Sequence, residues 1–308
     1  MTRLNRLHRL TISLVLLTLT CASALDAASN ARITVTDDFG HNVTVRAPPL
    51  RIVSLAPGAT AMLVAAGAGG QLVGTIEYSG QPASEMKLPR IGSADAIDME
   101  RLIALRPDVV VVWPDGNSPA QIRTLERLGI SVYRQEAVTL DGIPDSLRRL
   151  GRLAGTSRVA DRRAGALAAK LAGLRKEYAN SAPATVFLEV WDRPLYTVGG
   201  GELMSDALSI CGARNAFADL PQRAPAIGIE GVIARNPDII IAAAPPGKGA
   251  AWLAEWRRFP SLRAVTTGHL LAFEDERLMG LGPGAIDATA AMCRKIAALT
   301  GRSGAKYP

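Results

Sequence analysis

Residues 31–49, ARITVTDDFGHNVTVRAPP, alternate branched and polar positions on either side of an Asp-Asp-Phe-Gly-His turn, which predicts a β-hairpin. RIVSLAPGATAMLVAAGAG, from Arg51, then runs from a strand through Pro57-Gly58 into a helix of small residues. After it come LVGTIEY, a helix at Glu100, a strand at 109–112, a helix near 119–128 and ISVYRQ. Strands and helices alternating at such short intervals predict an α/β fold, with helices on the faces of a sheet. Between Ile143 and Asn180 the rhythm changes to Leu, Ala, Arg and Lys without a strand-like run. The helix formers after Thr156 predict a helix of about 22 residues and about 33 Å, long enough to cross a domain. Beyond Pro183 the α/β alternation resumes with TVFLEV, PLYTVGGG, a strand at 238–243, a Trp252/Trp256 helix and HLLAFE.

The two α/β stretches share one written unit. MERLIALRPDVVVVW at 99–113 returns as IEGVIARNPDIIIAA at 229–243, matching Glu100 to Glu230, Ile103 to Ile233, Ala104 to Ala234, Pro107 to Pro237 and Asp108 to Asp238. Each copy opens a short helix with a glutamate, stops it at a proline and continues into a β-branched run. The doubling predicts two similar lobes with short, mostly parallel sheets, at 32–142 and 183–303, joined by a helical linker at 143–182. A ligand would then sit in the cleft between the lobes.

Composition refines this picture. Hydrophobic content of 48% and charged content of 20% describe a folded globular chain. Residues 1–24 carry three arginines and no acid, then an apolar run from Leu10 to Leu19, then Ala22-Ser23-Ala24. That is the order of a secretory signal, and the run is too short for a membrane span. Cys21 follows Thr18-Leu19-Thr20, a poor lipoprotein box, which argues against a lipid anchor. With Arg3, Arg6 and Arg9 removed, the formal charge falls from +7 to +4, and no aromatic-and-basic cluster points to nucleic acid. Cys211 and Cys293 then remain, which in an oxidising compartment read as one structural disulfide, with two free thiols as the alternative.

Signs of catalysis are missing from the pattern. There is no Gly-x-Ser-x-Gly, no P-loop and no His-Glu-x-x-His, and His8, His41 and His269 are scattered. Glu274-Asp275-Glu276 reads as a solvated loop before a cation site. Aromatics instead gather at strand ends: Tyr78 after LVGTIE, Trp113 after VVVV, Trp191 after TVFLEV, and Tyr196 just beyond. In α/β sheets the carboxyl ends of strands face the ligand crevice, so these rings would converge there. Glu100 and Glu230 each favour a helix N-terminus electrostatically, which explains them singly. As an equivalent pair on two lobes they also suit a two-fold partner with one arginine pocket for each.

Taken together, ITVTDDFGHNVTV, RIVSLAPGATAMLVAAGAGGQLVG, IDMERLIALRPDVVVVW, LERLGISVY, PLYTVGGG, DALSICGARNAF and IEGVIARNPDIII resemble the periplasmic substrate-binding proteins of ABC importers for cobalamin, ferric siderophores and haem. The resemblance implies two α/β lobes bridged by a rigid helix, with a metal chelate held in the cleft and no resident cofactor or metal. It implies that Glu100 and Glu230 dock onto arginines of a dimeric inner-membrane permease, and that Cys211 pairs with Cys293. Corrinoid binders are nearest in detail, with Tyr78, Trp113 and Trp191 as cleft aromatics. Tyr196 and backbone groups near Ser54, Ala56 and Pro57 complete the expected site of a monomeric, non-enzymatic binder.

Three positions depart from the pattern. Gly280 and Gly284 stand where many relatives carry arginines around a Gly-Pro pair, residues 94–96 lack a tryptophan, and Thr60-Ala61 replaces Thr-Glu. The first disfavours an anionic catecholate and the second a corrinoid, so a ferric siderophore or haem is the alternative ligand. A cofactor enzyme on a related two-lobe architecture is the remote one, and it would need thiols or histidines facing the cleft.

Overall fold

The structure, a computed structural model, describes residues 32–46, 48–49, 51–77, 87–179, 183–280 and 282–301, with the backbone alone at Pro57. The opening hairpin pairs β1 (Arg32–Thr36) with β2 (Asn42–Arg46), Arg32 opposite Arg46. Its turn is tied down by aspartates. Asp37 accepts from the Phe39 and His41 amides at 2.9 and 2.8 Å. Buried Asp38 accepts from Tyr133, Ser146, Arg149 and the Glu136 amide. A carboxylate so surrounded by donors, one of them cationic, is compensated for leaving water. Burial, and then the charge of Asp38, push the Tyr133 phenol well above its ordinary pKa.

The first lobe follows as β3 (Ile52–Ser54), α1 (Pro57–Ala65), β4 (Leu72–Thr75), α2 (Met99–Ala104), β5 (Val109–Val112), α3 (Pro119–Arg127) and β6 (Ser131–Arg134). Its sheet is parallel in the order β4-β3-β5-β6. All four valines of β5 are buried, as expected of a strand covered on both faces. Val109 and Val111 enter one core while Val110 and Val112 enter another, because successive side chains leave a strand on opposite sides.

Helices α4 (Gly142–Leu153) and α5 (Ser157–Tyr178) connect the halves. Ala160, Ala164, Leu167, Leu171, Leu174 and Tyr178 are the buried positions of α5, spaced by three and four so that they form one stripe. The 22-residue length matches the expectation.

The second lobe comprises β7 (Ala184–Glu189), a small hairpin of β8 (Trp191–Asp192) and β9 (Leu195–Tyr196), α6 (Leu203–Ile210), β10 (Ala213–Asn215), α7 (Ile229–Arg235), β11 (Ile239–Ala243), α8 (Gly249–Trp256), α9 (Arg263–Thr266), β12 (Leu270–Phe273) and α10 (Gly284–Leu299). Its sheet, β10-β7-β11-β12, is also parallel. Ile239 and Ile241 join the same core as Val109, Val111 and the α5 stripe, whereas Ile240 and Ala242 pack into a core private to this lobe. One continuous apolar layer thus runs from sheet to sheet through the connecting helices and makes them a rigid spine.

The doubled unit has a common physical reason. Asp108 accepts from the Arg51 amide and returns its own N–H to the Arg51 carbonyl, both at 2.9 Å. Asp238 does the same with Thr185, at 2.8 and 2.9 Å. In each lobe the aspartate after the proline clips the central strand to the start of its neighbour. The residue before that proline takes a left-handed conformation in both copies, Arg106 at φ 45° and Asn236 at φ 41°. Cys211, just past α6, is bonded to Cys293 of α10 at 2.01 Å, and both are buried.

A cleft between the lobes as the candidate binding site

Side chains beyond the carboxyl ends of strands in the two sheets meet. Arg223, on the loop between β10 and α7, pairs with Asp115 and Glu136, which lie past β5 and β6 of the other lobe. Away from this contact, the turn into α10 rests on α1: a Cβ on Gly282 would lie 3.2 Å from that of Ala61. These two contacts each bridge the two lobes.

On the first-lobe side Trp113 is half-buried and held in place. Its amide donates to Asn117 Oδ1 at 2.8 Å, and its indole N–H donates to Glu136 Oε1 at 3.2 Å. Its ring lies over Gly116, where any Cβ would collide with it. Buried Asn117 also donates to the Leu55 and Ala94 carbonyls, at 3.0 and 2.8 Å, so one amide ties three loops at the strand ends. Ser54 and Ala56 are buried, and the Ser54 hydroxyl is engaged with the Ala56 carbonyl and the Thr60 hydroxyl. Only backbone groups at the start of α1 remain for a ligand there, and Pro57 brings no N–H. Tyr78 lies outside the described residues.

On the second-lobe side Trp191 is 51% exposed, stands opposite Tyr196 in the hairpin, and meets Trp252 edge-on at 6.4 Å between ring centres. Beside it lies a pocket of about 460 Å³ lined wholly by second-lobe residues, among them Glu189, Asp192, Leu195, Ile229, Trp252 and Trp256. Glu189, at the end of β7, is buried and accepts from the Trp256 indole N–H at 2.8 Å. Burial raises its pKa to about 7 against the lowering effect of the Trp256 bond, with Asp192 adding to the rise. The pocket therefore pairs broad aromatic faces with an acid that titrates near neutrality.

Arg223 reaches across because its loop is packed close. Residues 195–199 and 223–227 run side by side, with Ile227 N–H to Leu195 O at 3.0 Å, Thr197 N–H to Pro225 O at 3.1 Å and Gly199 N–H to Arg223 O at 3.0 Å. Cβ atoms on Gly199 and Gly200 would collide with the carbonyls of Leu220, Gln222 and Ala218, so the glycines of PLYTVGGG are what admit the loop. Glu202, preceding α6, holds the Arg223 Nε. Burial pulls the Arg223 pKa down, but hydrogen bonds and attraction from Glu202 and Glu136 outweigh it and raise it overall.

Two sequence expectations gain detail. Glu274 is no loose loop acid: it accepts from the Gly247 and Gly249 amides at 3.0 and 2.8 Å, tethering the start of α8. Near the glycines that replace the expected arginines, Arg277 lies over Gly284 and is paired through two nitrogens with Asp275, at 2.8 and 2.7 Å. An arginine does reach this loop, but its charge is already neutralised. Among the described residues no group of three or more His, Cys, Asp and Glu side chains is arranged to hold a metal ion, and no helix is long and apolar enough to cross a membrane.

Glu100 and Glu230 are exposed in the first turns of α2 and α7. The Glu230 carboxylate curls back over its own helix start, 2.6 Å from where a Gly228 Cβ would be. Glu136, Asn117, Glu189, Arg223 and Trp256 were missed as site residues in the sequence. Glu136 and Glu189 carry the same signal as Trp113, a place at or just past the end of a buried strand. Arg223 carries none, since its partners are distant in the chain.

Two lobes on a helical spine, with aromatic groups at strand ends of both, define a bilobed solute binder. The chain belongs to the periplasmic binding protein family, whose model matches residues 52–276. It is 33% identical over 250 residues to a vitamin B12-binding protein of Vibrio cholerae, covering 80% of this chain and 88% of that one. Among solved structures it is similar to the periplasmic vitamin B12 binding protein BtuF of Vibrio cholerae, at a TM-score of 0.76 and 31% identity, covering 82% of this chain and 98% of the other. A periplasmic haem binding protein of Pseudomonas aeruginosa matches at a TM-score of 0.71 and 25% identity, covering 84% and 95%.

Proposed function

We propose that this chain is exported by its first 24 residues, binds a corrinoid in the interlobe cleft as a monomer, and delivers it to an ABC permease in the inner membrane. The observation that carries the reading is the pair of tryptophans, Trp113 and Trp191, placed just past the strand ends of opposite lobes in a chain 33% identical to a vitamin B12-binding protein. Tyr78 and Tyr196 would add apolar faces, with backbone groups near Ser54, Ala56 and Pro57 at one end. Binding would rest on ring stacking and apolar burial, with no bond made or broken. The acids Asp115, Glu136 and Glu202 around Arg223, together with the neutralised Arg277, disfavour a strongly anionic chelate.

Glu100 and Glu230 would dock the loaded protein on the permease, one per lobe. Calorimetric titration of the chain from residue 25 onward with cyanocobalamin, haem and a ferric hydroxamate tests the ligand assignment. Submicromolar binding of cyanocobalamin alone is expected. Binding of an iron chelate alone would keep the importer role and replace the cargo.

A further inference from the structure

Arg223 stands out among the charged residues because it serves both lobes at once. Its guanidinium pairs with Asp115 and Glu136 of the first lobe, the latter at 2.6 Å, and with Glu202 of its own. Of these carboxylates, Glu136 is 3% exposed and Glu202 14%, so two of the three are withdrawn from water, whereas Asp115 and the outer part of Arg223 lie at the solvent rim. The same Glu136 Oε1 that receives Arg223 receives the Trp113 indole N–H. The Glu136 backbone is fixed in turn by Asp38 at 3.0 Å.

We propose that Arg223 is a positioning residue of the cleft: it holds the two lobes at one spacing and, through Glu136, fixes the orientation of the Trp113 ring. The inference rests on reading the cleft as the ligand site. Five N–H donors in a planar fork can serve three carboxylates simultaneously, which the point charge of a lysine cannot. Without the cation, three acids from two lobes face each other uncompensated, and their repulsion opens the cleft. Glu136 then has no reason to stay aimed at the indole. Ligand captured between the lobes would escape sooner, because both the wall spacing and the ring that meets it have loosened.

The test compares the wild type with Arg223→Gln, Arg223→Lys, Glu136→Gln and Asp115→Asn. Spin labels at Leu128 and Thr267, both exposed and one on each lobe, report interlobe distance without ligand. The Trp113 indole N–H signal, assigned by its loss in Trp113→Phe, reports ring orientation and solvent exchange. Arg223→Gln is expected to widen the distance distribution, shift the indole signal and speed its exchange, with Arg223→Lys intermediate. Glu136→Gln keeps an oxygen for the indole and should widen the lobes while disturbing the indole less. Cyanocobalamin should dissociate roughly tenfold faster or more from Arg223→Gln. Should Arg223→Gln not fold, Asp115→Asn, altered only at the rim, must still broaden the distances. Unchanged distances and an unchanged indole signal in the folded variants would overturn the proposal. If both respond in the ligand-free protein while no form binds cyanocobalamin, the latch stands and the corrinoid reading falls.

Discussion

Glu189 shows how much one side chain at a strand end can record. It closes β7 beneath the Trp256 indole, buried, with a pKa raised to about 7. A raised carboxyl pKa means that the folded chain holds its proton where the unfolded chain has released it. Stability therefore falls as pH rises from about 4.5 to about 7, by up to roughly 3 kcal/mol, and is restored on acidification through that window. Glu189→Gln keeps an acceptor for Trp256 and should flatten this part of the profile. Urea titrations of both forms between pH 4.5 and 8 check it, and parallel profiles would count against the assignment. At this scale the sequence was only partly legible. The Pro-Asp pairs announced a repeat, but that Asp108 and Asp238 clip neighbouring strands needed the fold. Arg223 and Glu136 lie 87 residues apart, and no local pattern links them.

Elements were easier to read, because burial on both faces writes runs such as VVVV and III, and a helix wall writes a stripe every three or four residues. The hairpin, the long helix and the two alternating stretches all followed from such patterns. Less legible was the path of residues 216–228, which holds no regular structure and is shaped by glycines 199 and 200 in a different segment. The bond from Cys211 to Cys293 joins α6 to α10 across 82 residues, closing a long loop in the unfolded chain. Replacing both cysteines by alanine should lower stability by up to about 4.5 kcal/mol, on the loop-entropy estimate for a span of this length. Guanidinium denaturation of the oxidised wild type and the double variant measures the difference, and equal midpoints would contradict a stabilising bond.

Across the whole molecule, the repeat divides into positions explained by the fold and positions that are not. The prolines and aspartates build each lobe, whereas Glu100 and Glu230 remain exposed, as do Ile103 and Ile233 one helical turn on. On the proposed docking role, the exposed acid of each lobe would meet one arginine pocket of a two-fold permease. Glu100→Ala with Glu230→Ala should leave cyanocobalamin affinity unchanged and abolish uptake in vesicles carrying the permease, and normal uptake would dismiss the docking role. On the same reading, the apolar spine and the Arg223 bridge together set the spacing of the cleft that ligand would enter. The most direct test of the account is a tryptophan-fluorescence titration with cyanocobalamin of the wild type, Trp113→Phe and Trp191→Phe. The account predicts saturable quenching in the wild type and affinity reduced by about tenfold or more in each variant, an aromatic contact of ~1.4 kcal/mol or more. Undiminished affinity in both variants would place the ligand outside the cleft and contradict it.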